Sequence, residues 1–248
     1  MKIDVIILSL VVDFESFQTT KNCIDSYINT GNKLINKIFV IETNKQFDTL
    51  GLSYNQPKVS VIIPDEKEFN YNRYFNIGLK HCTSQYVMGP NNDVIIEPNC
   101  IQNLISAFKQ NPDVDSLSPV DRSWHMHSYD NFPSDNGLYI GYDISQHVMG
   151  SCLIINREKV FSTIGYLDER FFFYYQDNDY ACCLRANNIL HGLVTNAHFK
   201  HAISSSKSKC SDYKFLPYSM IDQQQIFTDK WLNPPYSLGQ YVPFKQFP

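Results

Sequence analysis

Two hydrophobic periods alternate along the first 112 residues. Ile3-Asp4-Val5-Ile6-Ile7-Leu8-Ser9-Leu10 is a short apolar run that predicts a buried strand. Residues 16–29 place Phe17, Cys23, Ile24, Tyr27 and Ile28 near one helical face, with Thr30-Gly31-Asn32 as the stop. Residues 37–41 and 58–63 predict the second and third strands, which end at Glu42-Thr43-Asn44 and Pro64-Asp65. Residues 70–81 space Tyr71, Phe75 and Leu79 four apart, as a helix does. Residues 86–89 predict a fourth strand. It runs into Asn91-Asn92-Asp93 before the apolar Val94-Ile95-Ile96. Pro98 suits the first turn of another helix, whose stripe is Ile101, Leu104, Ile105 and Phe108 and whose end is Asn111-Pro112.

This alternation predicts an α/β domain with a mostly parallel sheet and helices on its faces. Residues 121–147 break the pattern, being polar, aromatic and without a period, as functional loops often are. Beyond them, residues 151–156 and 191–202 read as strands, and 157–164 and 177–188 as helices. Residues 204–209, Ser-Ser-Ser-Lys-Ser-Lys, read as a linker. The division expected is a main domain over 1–205 and a Tyr-, Phe- and Pro-rich C-terminal extension over 206–248 packed on it.

A chain of 248 residues with 43% apolar and 19% charged content can bury a substantial core. Its net charge of -4 supplies no general attraction to nucleic acid or anionic lipid. Seven cysteines without CxxC spacing argue against a disulfide framework or a structural zinc site. No apolar run is long enough for a transmembrane segment, so a soluble, cytoplasmic protein is expected.

Candidate chemistry gathers where strands end. Asp13, Glu42, Asp65 and Asn91-Asn92-Asp93 follow predicted strands, and in a parallel sheet such ends share the ligand-binding edge. Asp93, flanked by two amides, suits a divalent cation shared with substrate phosphates, although a polar turn is an equal reading. Glu42 suits a base or ribose, or is an ordinary loop carboxylate. Neither GxGxxG nor a P-loop occurs. A second cluster runs from Leu167 to Asp179 and mixes five aromatic residues with acids and amides, as a sugar site does. A carboxylate there suits a general base. Asp177 or Asp179 also suits a helix cap, the reading favoured for Asp179. His198 and His201 near a strand end suit a metal or a structural hydrogen bond, and no role is expected of His125 or His127.

In order and spacing these motifs resemble family-2 glycosyltransferases, especially rhamnosyltransferase-like members, over residues 3 to about 205. A fainter likeness extends to Lys230-Trp231 and to Tyr241-Val242-Pro243-Phe244. The resemblance implies a GT-A (Rossmann-like) fold and inverting transfer from a nucleotide-sugar donor to a glycan, lipid-linked or protein-linked hydroxyl acceptor. It implies that Glu42 contacts the nucleotide, and that Asn76 of Asn76-Ile77-Gly78 lies beside it. Arg73 then faces the diphosphate. Asn91, Asn92 and Asp93 match the family's D-x-D, so Asp93 becomes the ligand of Mn2+ or Mg2+, with His201 completing the site. Gly150 lines the acceptor side together with Asp168, Gln176 and Asp179, and Asp177 is the base.

Asn91 and Gln176 stand where the family carries acids. They keep open a non-catalytic sugar- or nucleotide-binding module. A nucleotidyltransferase is less favoured, because no early Gly-rich basic loop is present.

Overall fold

The computed structural model describes residues 1–31, 33–66, 68–125, 137–201 and 220–232. Strand β1 (Ile3–Ser9) turns Val5 and Ile7 into one apolar cluster and Ile6 into another, so it is buried on both faces. Helix α1 (Phe14–Gly31) leads to β2 (Ile35–Glu42), and a 3-10 turn (Phe47–Leu50) precedes β3 (Val59–Ile62). Then come α2 (Tyr71–His81), β4 (Tyr86–Pro90), β5 (Val94–Ile96), α3 (Cys100–Gln110) and β6 (Val114–Asp121). The remaining elements are β7 (Leu138–Ile140), β8 (Cys152–Asn156), α4 (Arg157–Ile164), α5 (Gln176–Ala186), β9 (Leu190–His201) and α6 (Met220–Trp231).

All nine strands join one sheet in the order β3-β2-β1-β4-β8-β6-β9-β5, with β7 added to β9. The pairings make β1, β2, β3, β4, β6 and β9 run one way and β5, β7 and β8 the other, so the sheet is mostly parallel as expected. Helices α1 and α3 cover one face through Phe17, Ile24, Tyr27, Leu104 and Phe108. Helix α2 covers the other through Tyr74, Phe75 and Leu79. Its close approach depends on Gly78, where a Cβ would stand 2.6 Å from the Ile6 side chain. The α/β architecture with helices on both faces therefore stands.

Three elements differ from the sequence reading. β6 was not anticipated, because Val114-Asp115-Ser116-Leu117-Ser118-Pro119 mixes small polar residues with apolar ones. Ser116 and Ser118 are nevertheless buried, bonding Tyr180 and His191 respectively. β7 lies within the stretch expected to be irregular, and α6 was not read out of the aromatic C-terminal composition. The serine-lysine tract, His127 and Tyr241 to Phe244 fall outside the described residues. Among the described residues no helix is long and apolar enough to cross a membrane.

Candidate active site

Parallel strands bring the ends of β1, β2, β4, β6 and β9 to one edge. Asn91 forms a bridge to Leu8 at the end of β1. Glu42, fully buried at the end of β2, accepts N–H bonds from Val11 at 3.0 Å and Asn44 at 2.8 Å through Oε1. Its Oε2 has no hydrogen-bond partner among the described residues, and burial raises its pKa against the opposing N–H bonds. Asn92 donates to Thr20 Oγ1 at 3.2 Å, which ties the end of β4 to α1.

Asp93 and His201 form an ion pair with Oδ1 and Nε2 3.0 Å apart, and the Asn91 amide nitrogen lies 3.5 Å from the same imidazole nitrogen. Asp121 at the end of β6 approaches the other ring nitrogen at 3.9 Å. Burial opposes charge on His201, but Asp93 by hydrogen bond and attraction, with Asp121, outweighs it and lifts the pKa above the ordinary value. Asp121 was not singled out from sequence. No local signal marked it, because β6 is not a continuous apolar run.

Among the described residues no group of three or more His, Cys, Asp or Glu could hold a metal ion. One carboxylate with one imidazole suits an ion that substrate phosphates complete, as Mg2+ commonly is held. The residues present thus fit a shared ion and not a closed protein cage.

Across a single residue step lies the second half. Ser151 accepts the Asn91 N–H at 2.8 Å, while its neighbour Gly150 lies directly against the Asp177 carboxylate. Asp177 stands in the first turn of α5, where the Asn178 N–H donates to it at 2.9 Å. Burial outweighs that bond and raises its pKa. Gln176 and Asp177 line a cavity of about 50 Å³ together with Tyr71, Phe75, Gly89 and Gly150.

Four of the expected site residues have partners within the protein. Arg73 bridges Glu169 at 2.9 Å and Glu66 at 3.2 Å. Asn76 donates to Leu167 O at 2.9 Å and accepts the Leu167 N–H at 3.0 Å, which fastens α2 to the 167–169 segment. Asp168 is held by Arg170 at 2.6 Å and Lys230 at 2.9 Å. Asp179 accepts from Lys230 at 2.8 Å and from the Trp231 indole at 2.6 Å. For the buried Asn76 and Asp179 the reason is that polar groups at a packed junction are matched within the protein. Asp179 makes no side-chain cap on α5.

The family described as Glycosyl transferase family 2 matches residues 11–161. A search of curated proteins finds no match. Among solved structures, S. aureus TarS 1-349 is 13% identical with a TM-score of 0.56, over 79% of this chain and 60% of that one. GalNAc-T7 with UDP, GalNAc and Mn2+ is 14% identical with a TM-score of 0.63, over 81% of this chain and 44% of that one. The mannosyltransferase PcManGT from Pyrobaculum calidifontis, in complex with GDP-Man and Mn2+, is 12% identical with a TM-score of 0.61, over 83% and 58%. The chain thus spans between 44% and 60% of the solved chains it matches. With more than half its length matched by that family and the GT-A fold present, this chain belongs to glycosyl transferase family 2.

Proposed function

We propose that the chain transfers a sugar, with inversion, from a nucleotide-sugar to a hydroxyl on a glycan, lipid-linked or protein-linked acceptor. The observation that carries this reading is the juxtaposition, across Gly150-Ser151, of the Asp93–His201 pair with the half-buried carboxylate of Asp177. Such a pairing separates a leaving-group site from a base, as attack from the opposite face of the sugar requires. Two proteins of similar fold, GalNAc-T7 with UDP, GalNAc and Mn2+ and PcManGT with GDP-Man and Mn2+, support the same division. The motif order supports a rhamnosyltransferase-like member. Six free cysteines among the described residues support a reducing, cytoplasmic setting.

Glu42 Oε2 accepts a hydrogen bond from the base or ribose. Asp93 and His201 would hold Mn2+ or Mg2+, which would supply charge stabilisation to the departing diphosphate. Asp177 removes the proton of the acceptor hydroxyl as its oxygen forms the new bond to the anomeric carbon and the bond to the diphosphate oxygen breaks. Burial raises its pKa above the ordinary aspartate value, which strengthens it as a proton acceptor.

The test is calorimetric titration of UDP, GDP, dTDP and CDP, with Mn2+ and with chelator, into wild type and Asp93→Ala. Binding of one nucleotide that requires both the metal and Asp93 is expected. Metal-independent binding unaffected by Asp93→Ala overturns the metal-assisted reading and favours the binding module, a reading that Asn91 and Gln176 sustain.

A further inference from the structure

The segment that delivers Asp177 has no cap of its own. Tyr175 occupies the N-cap position of α5 at φ +61, with no side-chain hydrogen bond to the helix. A left-handed conformation at a tyrosine is strained and persists only where the surroundings over-determine it. Just upstream, the backbone N–H groups of Phe172, Phe173 and Tyr174 all converge on one atom. That atom is Gln223 Oε1 of α6, at 3.0, 3.1 and 3.0 Å.

Gln223 is fully buried, and its Nε2 has no partner among the described residues. Its amide is therefore held for the oxygen alone, at the expense of an unmatched donor. Three convergent N–H groups form a concave nest of positive potential, and a single acceptor at its centre fixes all three peptide planes together. The same turn is anchored from the other side, where Phe172 O accepts the Tyr71 N–H at 2.7 Å. Phe227 of α6 packs against Phe171 and Tyr175, with centroids 6.4 and 5.3 Å away, so the turn is gripped on both flanks.

We propose that Gln223 is a positioning residue for Asp177: by gathering the three N–H groups of 172–174 it fixes the turn from which the base projects toward Gly150. This rests on the assignment of Asp177 as base made above. Gln223 lies 46 positions from Asp177 and its hydrogen bonds go to 172–174, not to Glu42, Asp93 or His201, so its effect falls on proton removal and not on donor binding. A misplacement of about 1 Å at a reacting group is worth about 10²-fold in rate.

The experiment compares wild type, Gln223→Met and Gln223→Glu. Met keeps the length of the side chain and removes the acceptor, whereas Glu restores an oxygen for the three N–H groups. Turnover is read as nucleoside diphosphate released from UDP-, GDP-, dTDP- and CDP-sugars, and amide exchange is followed by mass spectrometry on the same proteins. Gln223→Met is expected to lower kcat about 10²-fold with the donor KM within twofold, and Gln223→Glu to recover most of it. Exchange should accelerate over 170–178 while β1 and β4 stay protected. A kcat within twofold of wild type in Gln223→Met, or an equal loss in Gln223→Glu, overturns the proposal. Should wild type turn over none of these donors, the functional reading fails by itself, and exchange decides the positioning. Acceleration confined to 170–178 then upholds it, and unchanged protection there overturns it.

Discussion

Gly150 and Asp177 are in such close contact that a Cβ on the glycine would stand 2.8 Å from the carboxylate Oδ2. The carboxylate is thus held against a backbone that leaves room for it only because residue 150 has no side chain.

Gly150→Ala should therefore push Asp177 aside. The added methyl meets Asp177 Cβ at 3.0 Å as well as its oxygen, so rotation of the carboxylate alone does not relieve it. Turnover is expected to fall by about 10²-fold for a displaced base, while overpacking costs about 1–3 kcal/mol of stability. Steady-state kinetics beside a urea melt measure both. Full activity in a folded Gly150→Ala protein shows that Asp177 is not held where the chemistry needs it.

Asp177→Asn should lower kcat by about 10²–10⁴, the usual worth of a general base, and leave nucleotide affinity unchanged. In wild type, activity should fall on acidification with a midpoint above the ~3.9 of an unperturbed aspartate, because burial raises the Asp177 pKa. A raised carboxyl pKa favours the folded state while the group is protonated, and that contribution is lost as pH rises through the folded value. The neutral amide avoids this loss, so Asp177→Asn should melt at a higher temperature than wild type at pH 7. Calorimetric melts read the sign directly.

Lys230→Met removes the cation shared by Asp168 and Asp179, which lie 2.9 and 2.8 Å from it. Leaving the buried Asp179 without its charge partner should cost about 3 kcal/mol. Burial alone raises Asp168, but Arg170 and Lys230 outweigh it and hold its pKa below the carboxylate range. A depressed pKa contributes stability above the unfolded value of ~3.9 and loses it as pH falls through the folded one. Urea unfolding should accordingly show the gap between Lys230→Met and wild type narrowing as pH falls, first as Asp179, whose pKa burial raises against Lys230, takes up its proton, and further below about pH 4 through Asp168. A gap that is constant down to pH 2 contradicts the Asp168–Lys230 pairing.

Asp93→Asn should lower the titration midpoint of His201. The histidine owes its raised pKa to Asp93 with Asp121, against burial, and without the Asp93 charge burial counts for more. The imidazole signals in NMR report the midpoint, measured without added metal. An unmoved midpoint means that the pair does not form in solution.

Most of the strand and helix pattern could be read from the chain because it is local physics. A strand buried on both faces must be continuously apolar, as residues 3–10 are, and a helix on a sheet must repeat its apolar face, as Tyr71, Phe75 and Leu79 do. Strand ends that are polar identified Glu42 and Asp93 for the same reason, since a parallel sheet gathers them at one edge. The run from Leu167 to Asp179 stood out by composition, and Asp177 within it was singled out by resemblance.

What the sequence could not supply were partners across long separations. Asp121 meets His201 because β6 lies beside β9, a pairing that no local period encodes. Asp168 and Asp179 look alike in sequence to acids that face a substrate, yet Lys230, 62 and 51 positions away, takes both. Gln223 carries no motif at all, and its role exists only where three peptide N–H groups happen to converge. Local patterning determined which elements form and which ends are polar. Tertiary structure alone decided which of those polar groups are matched inside the protein and which face outward, because a hydrogen bond depends on where two groups meet in space.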